Sequence, residues 1–177
     1  MIITAGNYKG RKVVAPDEKI VRPTLSKIRE SIFNVLFSMM GFEGKSFLDM
    51  FAGSGIMGLE AISRGFENVL ALEKNPQVAK ILKTNYENIK LKPNLMIGDS
   101  LKLLNKLNEK FDVIYLDPPY FSGIYEESLK KIKENDLLNK GGFVILEHAT
   151  EVEWEEFGFK LIKQKSYSKK LVTFLSL

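Results

Sequence analysis

A chain of 177 residues is long enough for one domain with a substantial core, and its lack of cysteine excludes disulfides, thiolate metal sites, iron–sulfur clusters and a cysteine nucleophile. With His148 as the one histidine, a histidine-based metal centre is not expected either, nor any other metal. The net charge of +4 is unevenly placed: residues 1–45 hold eight Lys/Arg against four Asp/Glu, and the other 132 residues hold eighteen of each.

Three of the four arginines, Arg11, Arg22 and Arg29, fall in that basic stretch although lysine is the usual cation elsewhere. A fork-shaped donor kept among lysines suits bidentate phosphate contact, so a nucleic-acid partner is expected there. No apolar run of roughly eighteen residues and no charged-then-apolar leader occurs. The expectation is a soluble, unprocessed, cytoplasmic protein with no membrane partner.

Residues 1–4 and 12–15 are short apolar runs either side of a basic, glycine-containing stretch, which predicts a hairpin with a cationic tip. Arg22-Pro23-Thr24 reads as a helix entry with Thr24 at the N-cap. Ile28, Ile32, Leu36 and Met39 recur at helical spacing as its buried face, with Lys27 and Arg29 turned elsewhere. Gly41 and Gly44 mark the passage into a second segment, giving a division into an extension, 1–44, and a main domain, 45–177.

From residue 46 the pattern is strand, glycine turn, helix, repeated, which predicts an α/β fold with a mostly parallel sheet. Strands are expected at 46–50, 68–73, 95–97, 111–116 and 142–147. Between them lie a helix ending near Arg64, one capped by Asn75-Pro76, one carrying Leu101, Leu104 and Leu107, and one marked by Tyr125, Leu129 and Ile132. Segments 159–167 and 171–177 flank Ser168-Lys169-Lys170 with no room for a helix, so they should close the sheet as an antiparallel hairpin, for seven strands in all.

The chemistry sits at the strand ends. The run Phe111-Asp112-Val113-Ile114-Tyr115-Leu116 reads as a buried strand that Asp117-Pro118-Pro119-Tyr120 stops, because successive prolines cannot donate to a ladder. A carboxylate, a bare carbonyl and a ring are left facing the crevice where open α/β sheets bind ligands. These suit a planar group bearing an NH2, its hydrogens accepted by Asp117 and the Pro118 carbonyl and its plane laid on Tyr120. Upstream, Asp49-Met50-Phe51-Ala52-Gly53-Ser54-Gly55 opens a helix but is neither the GxGxxG fingerprint nor a phosphate loop. Asp49, Glu73 and Asp99 instead stand at successive strand ends, and Glu73 lies where an acid meets ribose hydroxyls in nucleotide-binding folds. An acid-lined pocket suits a ligand with a cationic group and an adenosine, which points to S-adenosylmethionine rather than ATP or NADP.

This combination resembles the class I S-adenosylmethionine-dependent methyltransferases over 45–177. Ile2-Ile3-Thr4-Ala5-Gly6, Lys9-Gly10-Arg11-Lys12, Arg22-Pro23-Thr24 and Ile28-Arg29-Glu30-Ser31-Ile32-Phe33-Asn34 extend the likeness. With Leu48-Asp49-Met50-Phe51-Ala52-Gly53-Ser54-Gly55 and Asp117-Pro118-Pro119-Tyr120, the chain is similar to the RsmD family. That family methylates the N2 amine of a guanine in 16S ribosomal RNA of the small subunit. It commonly has aspartate and arginine after Arg-Pro-Thr, where this chain has Leu25-Ser26-Lys27.

The resemblance implies a role for each matching residue. Gly53 and Gly55 would admit the methionine portion of the cofactor, Asp49 would face its amino group, Glu73 its ribose and Asp99 its adenine amine. Phe51, Ala52, Lys74, Ser100 and Asp117 would complete the cofactor site. Asp117, Pro118 and Tyr120 would serve the acceptor guanine, with Phe121 as a second wall. Lys9, Arg11, Lys12, Arg22, Thr24, Lys27, Arg29 and Phe121 would meet RNA. A monomer acting on an assembled or assembling small subunit is expected. Two rival enzymes share the tetrapeptide logic, an adenine-N6 DNA methyltransferase and a glutamine-N5 protein methyltransferase. The first usually carries a separate recognition domain and the second typically has Asn at the place of Asp117. A non-enzymatic RNA-binding module would explain the basic arm but not the acidic pocket.

Overall fold

The computed structural model describes residues 1–16, 26–118, 123–149, 152–168 and 170–177. Arg22, Thr24, Tyr120 and Phe121 lie outside the described residues, and with them the expected N-cap and the acceptor rings. In chain order the elements are α1 (Ser26–Met39), β1 (Ser46–Asp49), α2 (Ile56–Arg64), β2 (Asn68–Glu73), α3 (Pro76–Glu87), β3 (Asn94–Ile97) and α4 (Ser100–Leu103). They continue with β4 (Phe111–Leu116), α5 (Ile124–Glu134), β5 (Leu138–His148), β6 (Lys160–Tyr167) and β7 (Lys170–Ser176).

The strands form one seven-stranded sheet in the order β3-β2-β1-β4-β5-β7-β6. β3 to β5 run parallel, while β7 pairs antiparallel with both β5 and β6, as the missing helix between the last two strands requires. Central β1 and β4 read as continuous apolar runs because helices cover both faces. On one face Phe47, Val113, Tyr115 and Ile145 meet α1 and α2 through Ile32, Phe33, Leu36 and Met57. On the other, Leu48, Ile114, Leu116 and Leu146 meet Leu103, Leu129 and Ile132 of α4 and α5. Adjacent residues alternate between the two cores, as a strand's period of two dictates.

Local signals place most boundaries. Asn75 caps α3, accepting from the Gln77 and Val78 amides at 2.9 and 3.4 Å, and Pro76 fills the first turn, where no amide is needed. Two spans differ from expectation. The helix of Leu101, Leu104 and Leu107 is one turn of α4 followed by a 3-10 turn, Leu104–Lys106. β5 begins at Leu138 rather than 142, and its register on β4 shifts between Phe111 and Val113. A side chain at Gly142 would come within 2.8 Å of the Asp112 carbonyl, so the strand can cross this irregularity only with glycine there.

The N-terminal hairpin forms around the antiparallel bridge of Ile2 and Lys12, with Ile3 N bonded to Arg11 O at 3.0 Å and Gly10 N to Ile3 O at 2.9 Å. Its Ile3 and Val13 share a core with Ile56 and Leu59 of α2 and Leu82 and Tyr86 of α3. Among the described residues, no helix is long and apolar enough to cross a membrane.

Candidate active site

Asp49 ends β1 between the ends of β2 and β4, its pairing partners being Ala71 and Tyr115. It is 1% exposed, and among the described residues neither carboxylate oxygen has a hydrogen-bond partner. Burial pushes its pKa up to about 8; the Phe51 amide draws it down from outside hydrogen-bond geometry, while the charges of Asp117 and Glu73 raise it further. An unpartnered carboxylate at this depth is costly, on the order of several kcal/mol, unless a cation or donor meets it. Asp49, Glu73 and Asp117 thus stand at the ends of three adjoining strands, β1, β2 and β4.

The turn after Asp49 is built against the sheet and α3. Met50 N bonds to Tyr115 O at 3.1 Å and Ala52 N to Leu72 O at 2.9 Å, while Phe51 is half-buried. Gly53 and Gly55 take positive φ, 53° and 81°. A side chain at Gly55 would meet Leu82 Cγ at 2.8 Å and Tyr86 Cε2 at 3.0 Å, so this glycine also answers to the packing of α2 on α3. Glu73 accepts the Gly53 amide through Oε2 at 2.9 Å and the Asn75 amide through Oε1 at 2.7 Å. Burial raises its pKa despite these bonds. The residue thus ties the glycine turn to the entry of α3, and each oxygen retains a second lone pair.

Lys74, Asn75, Pro76 and Gln77 continue from Glu73 as one wall of an open groove of about 700 Å³. Asp99, at the end of β3, caps α4 through the Lys102 amide at 3.3 Å and pairs with the exposed Lys74 ammonium at 3.3 Å. Burial opposes its ionisation, but these donors hold its pKa below the usual carboxylate range. Ser100, expected among the cofactor residues, is buried with its hydroxyl bonded to the Met50 carbonyl at 2.5 Å. That bond braces the turn from behind.

At the end of β4, Asp117 is half-buried and Pro118 buried. Lys170, at the start of β7, brings its ammonium to 3.6 Å from Asp117 Oδ1 and also pairs with Glu147 of β5. Tyr115 donates to Glu147 Oε2 at 2.7 Å, and the Tyr125 hydroxyl donates to the Glu147 carbonyl at 2.7 Å. Sequence reasoning missed Glu147 and Lys170, treating them as strand and turn residues. The available signal was an acid directly after the apolar Phe143 to Leu146 run, still within the strand. His148 is buried, and its Nε2 lies 2.8 Å from Thr173 Oγ1.

On the expected RNA side, Lys9, Arg11, Lys12 and Lys27 are exposed. Arg29 is not among them, which corrects the reading of this residue as an RNA contact. It is 0% exposed, bonded through Nε to Glu60 Oε2 at 3.1 Å and through its guanidinium to Ile2 O at 2.6 Å. Glu60 also accepts from Thr4 N, Thr4 Oγ1 and Arg64 Nε at 2.9, 2.6 and 2.7 Å. Burial opposes charge on Glu60, but the Thr4 and Arg64 donors outweigh it and keep the pKa low. Asn85 of α3 accepts from Val14 N and donates to both Val14 O and Ser54 O, each at 2.9 Å, so the arm and the glycine turn share one side chain. The arm is a docked element of the site's framework.

Comparison with known proteins agrees with this geometry. The family model described as Conserved hypothetical protein 95 matches residues 1–176. Ribosomal RNA small subunit methyltransferase D of Haemophilus influenzae is 33% identical over 150 residues, 82% of this chain and 77% of that protein. The protein of the same name from Buchnera aphidicola is 33% identical over 149 residues, 82% of this chain and 76% of its own. A solved structure from Escherichia coli, described as a methyltransferase, superposes with TM-score 0.88 at 26% identity, covering 99% of this chain and 96% of that one. One from Haemophilus influenzae, described as a methylase, gives TM-score 0.80 at 28% identity over 99% and 97%. The sheet order, the acids at its strand ends and these likenesses make the chain a member of the Conserved hypothetical protein 95 family, the RsmD family that its motifs resemble.

Proposed function

We propose that the protein transfers a methyl group from S-adenosylmethionine to the exocyclic N2 amine of a guanine in small-subunit ribosomal RNA. The observation that carries this reading is the buried, unpartnered carboxylate of Asp49, set among Glu73 and Asp117 at adjoining strand ends. It fits the ammonium of the cofactor's methionine portion, and the remaining lone pairs of Glu73 fit ribose hydroxyls. When bound, S-adenosylmethionine supplies an electrophilic methyl on its sulfonium.

The chain's own groups act on the acceptor. An exocyclic amine is a poor nucleophile because its lone pair is delocalised into the ring. Accepting its hydrogens at Asp117 and at the Pro118 carbonyl favours a more tetrahedral nitrogen with a localised pair, and holding it in line accounts for much of the remaining acceleration. Asp117 takes the proton once the methyl has bonded and need not be a strong base. The guanine must be unstacked to enter, with Tyr120 and Phe121 as its walls. Residues 1–44 serve as the RNA-contacting extension, through Lys9, Arg11, Lys12, Arg22, Thr24 and Lys27. A cytoplasmic monomer acting on assembled or assembling subunits fits this small basic footprint.

The test is cofactor affinity in Asp49 and Asp117 variants, measured by calorimetry beside turnover. Asp49→Ala should weaken binding at least tenfold, while Asp117→Ala should leave binding within about threefold and abolish turnover. Unchanged binding in Asp49→Ala would contradict the assignment of the pocket.

A further inference from the structure

We propose that Lys170 is a positioning residue for the acceptor site: its ammonium, anchored on buried Glu147, orients the Asp117 carboxylate and keeps it an acceptor. The proposal deepens the reading of Asp117 as the group that receives the guanine amine, and it rests on that reading for its kinetic part only.

The anchor is built from three elements. Glu147 of β5 is 1% exposed, and its two carboxylate oxygens divide their work, Oε1 to Lys170 and Oε2 to Tyr115. The Tyr125 hydroxyl from α5 fixes the Glu147 main chain, and β5 and β7 pair antiparallel through Glu147 and Val172. The Lys170 side chain is 15% exposed, so the ammonium sits at one place rather than sweeping solvent. That place is 3.6 Å from Asp117 Oδ1. An exposed ion pair at that distance would count for little, but this one is largely withdrawn from water on both sides.

The need for such a cation follows from the neighbours. Asp117 and the buried Glu147 both reach the one Lys170 ammonium, so two carboxylates stand close together here and their charges disfavour one another. Of the other titratable groups packed on this anchor, Tyr115 comes from β4, Tyr125 from α5 and His148 from β5, the last committed to Thr173, while Asp49 of β1 holds its proton up to about pH 8. Left to the acids, Asp117 would be driven toward its protonated form. A protonated carboxyl presents a donor and loses acceptor capacity, which defeats hydrogen bonding from an NH2 group. Lys170 opposes that drift, and Glu147 limits how far the ammonium can lean into the crevice.

The decisive measurement is a carbon-13 NMR titration of the Asp117 carboxyl in the full-length protein without added ligand, in wild type, Lys170→Met, Lys170→Arg and Glu147→Gln. The Asp117 midpoint should rise by a unit or more in Lys170→Met and recover at least half of that in Lys170→Arg. It should fall in Glu147→Gln, which keeps the shape of the anchor and releases the ammonium toward Asp117, so opposite signs in the two charge-removing variants separate positioning from loss of packing. A midpoint unmoved in both Lys170→Met and Glu147→Gln overturns the proposal. On small ribosomal subunits, Lys170→Met should lose at least tenfold in kcat with the cofactor KM within threefold, and its acid limb should move to higher pH by the NMR shift. A shifted midpoint with unchanged kcat overturns the positioning role, whereas a wild-type protein inactive on subunits counts against the proposed function and leaves the titration to decide the place of Lys170.

Discussion

Arg29 of α1 and Glu60 of α2 form an ion pair of 3.1 Å in which both side chains are 0% exposed, and the same carboxylate holds Thr4 of the N-terminal hairpin and Arg64. Three segments, the hairpin, α1 and α2, therefore meet on one acid. Removing Glu60 would take a buried ion-pair partner from Arg29, and losses of about 3–5 kcal/mol are typical of such a change. Glu60→Ala should lower the unfolding free energy by that amount, read in urea as an earlier midpoint with little change in slope. A loss under about 1 kcal/mol would mean that the network adds little to folding.

The buried Asp49 carboxyl links stability and ligand binding to pH. Its folded pKa of about 8 lies above its ordinary value of 3.8, so the folded state holds the proton more tightly. Its contribution to stability is complete below about pH 4 and is lost as pH rises through about 8. Asp49→Asn should therefore match wild type most closely in acid and gain on it toward pH 9, by roughly 1.4 kcal/mol per unit of pKa shift. A ligand ammonium that needs the ionised carboxyl reverses the sense for binding. S-adenosylmethionine affinity should rise toward pH 8 by up to about tenfold per pH unit, with proton release, and Asp49→Asn should flatten that slope. Calorimetry in two buffers of different ionisation enthalpy checks both, and a pH-independent affinity would contradict the assignment.

Much of this site was readable in advance. β2, the Asn75-Pro76 cap, and the buried face of Tyr125, Leu129 and Ile132 rest on local periodicity and cap chemistry, and they lie where those signals place them. Asp49, Glu73 and Asp117 follow from strand ends in an open parallel sheet. Arg29 was misread because a cation near a helix start ordinarily faces water, and its burial is decided by Glu60, thirty-one residues on. Lys170 and Glu147 were invisible for a related reason: only the antiparallel return of β7 against β5 brings a turn lysine beneath the end of β4. The Gly53-Ser54-Gly55 turn was legible as the glycine entry to α2, but the demand of α3 on Gly55 is a packing fact with no local signature.

The exposed cations of the hairpin give a prediction about affinity. Lys9, Arg11 and Lys12 lie exposed on the hairpin. Replacing Lys9 and Arg11 with alanine should weaken RNA binding and reduce the salt slope by about one per lost phosphate contact, leaving cofactor affinity and folding intact. An unaltered slope in a filter-binding series would make the tip a solvated face.

The small basic footprint bears on the form of the substrate. A few phosphate contacts give weak nonspecific binding at physiological salt, so selectivity must come from RNA already folded and presented by bound proteins. Initial methylation rates should be at least tenfold higher on assembled or partly assembled small subunits than on protein-free ribosomal RNA at equal concentration. Equal rates would place recognition in local RNA shape.

Methyl transfer to a guanine of the RNA can be read from a labelled donor. Incubation of the protein with methyl-labelled S-adenosylmethionine and small ribosomal subunits, followed by nuclease digestion and mass identification of the labelled nucleoside, tests it most directly. Label is expected in N2-methylguanosine at one position of the RNA, with at least a hundredfold loss in Asp117→Ala. Label in another nucleoside, in protein or in DNA, or undiminished label in Asp117→Ala, would contradict it.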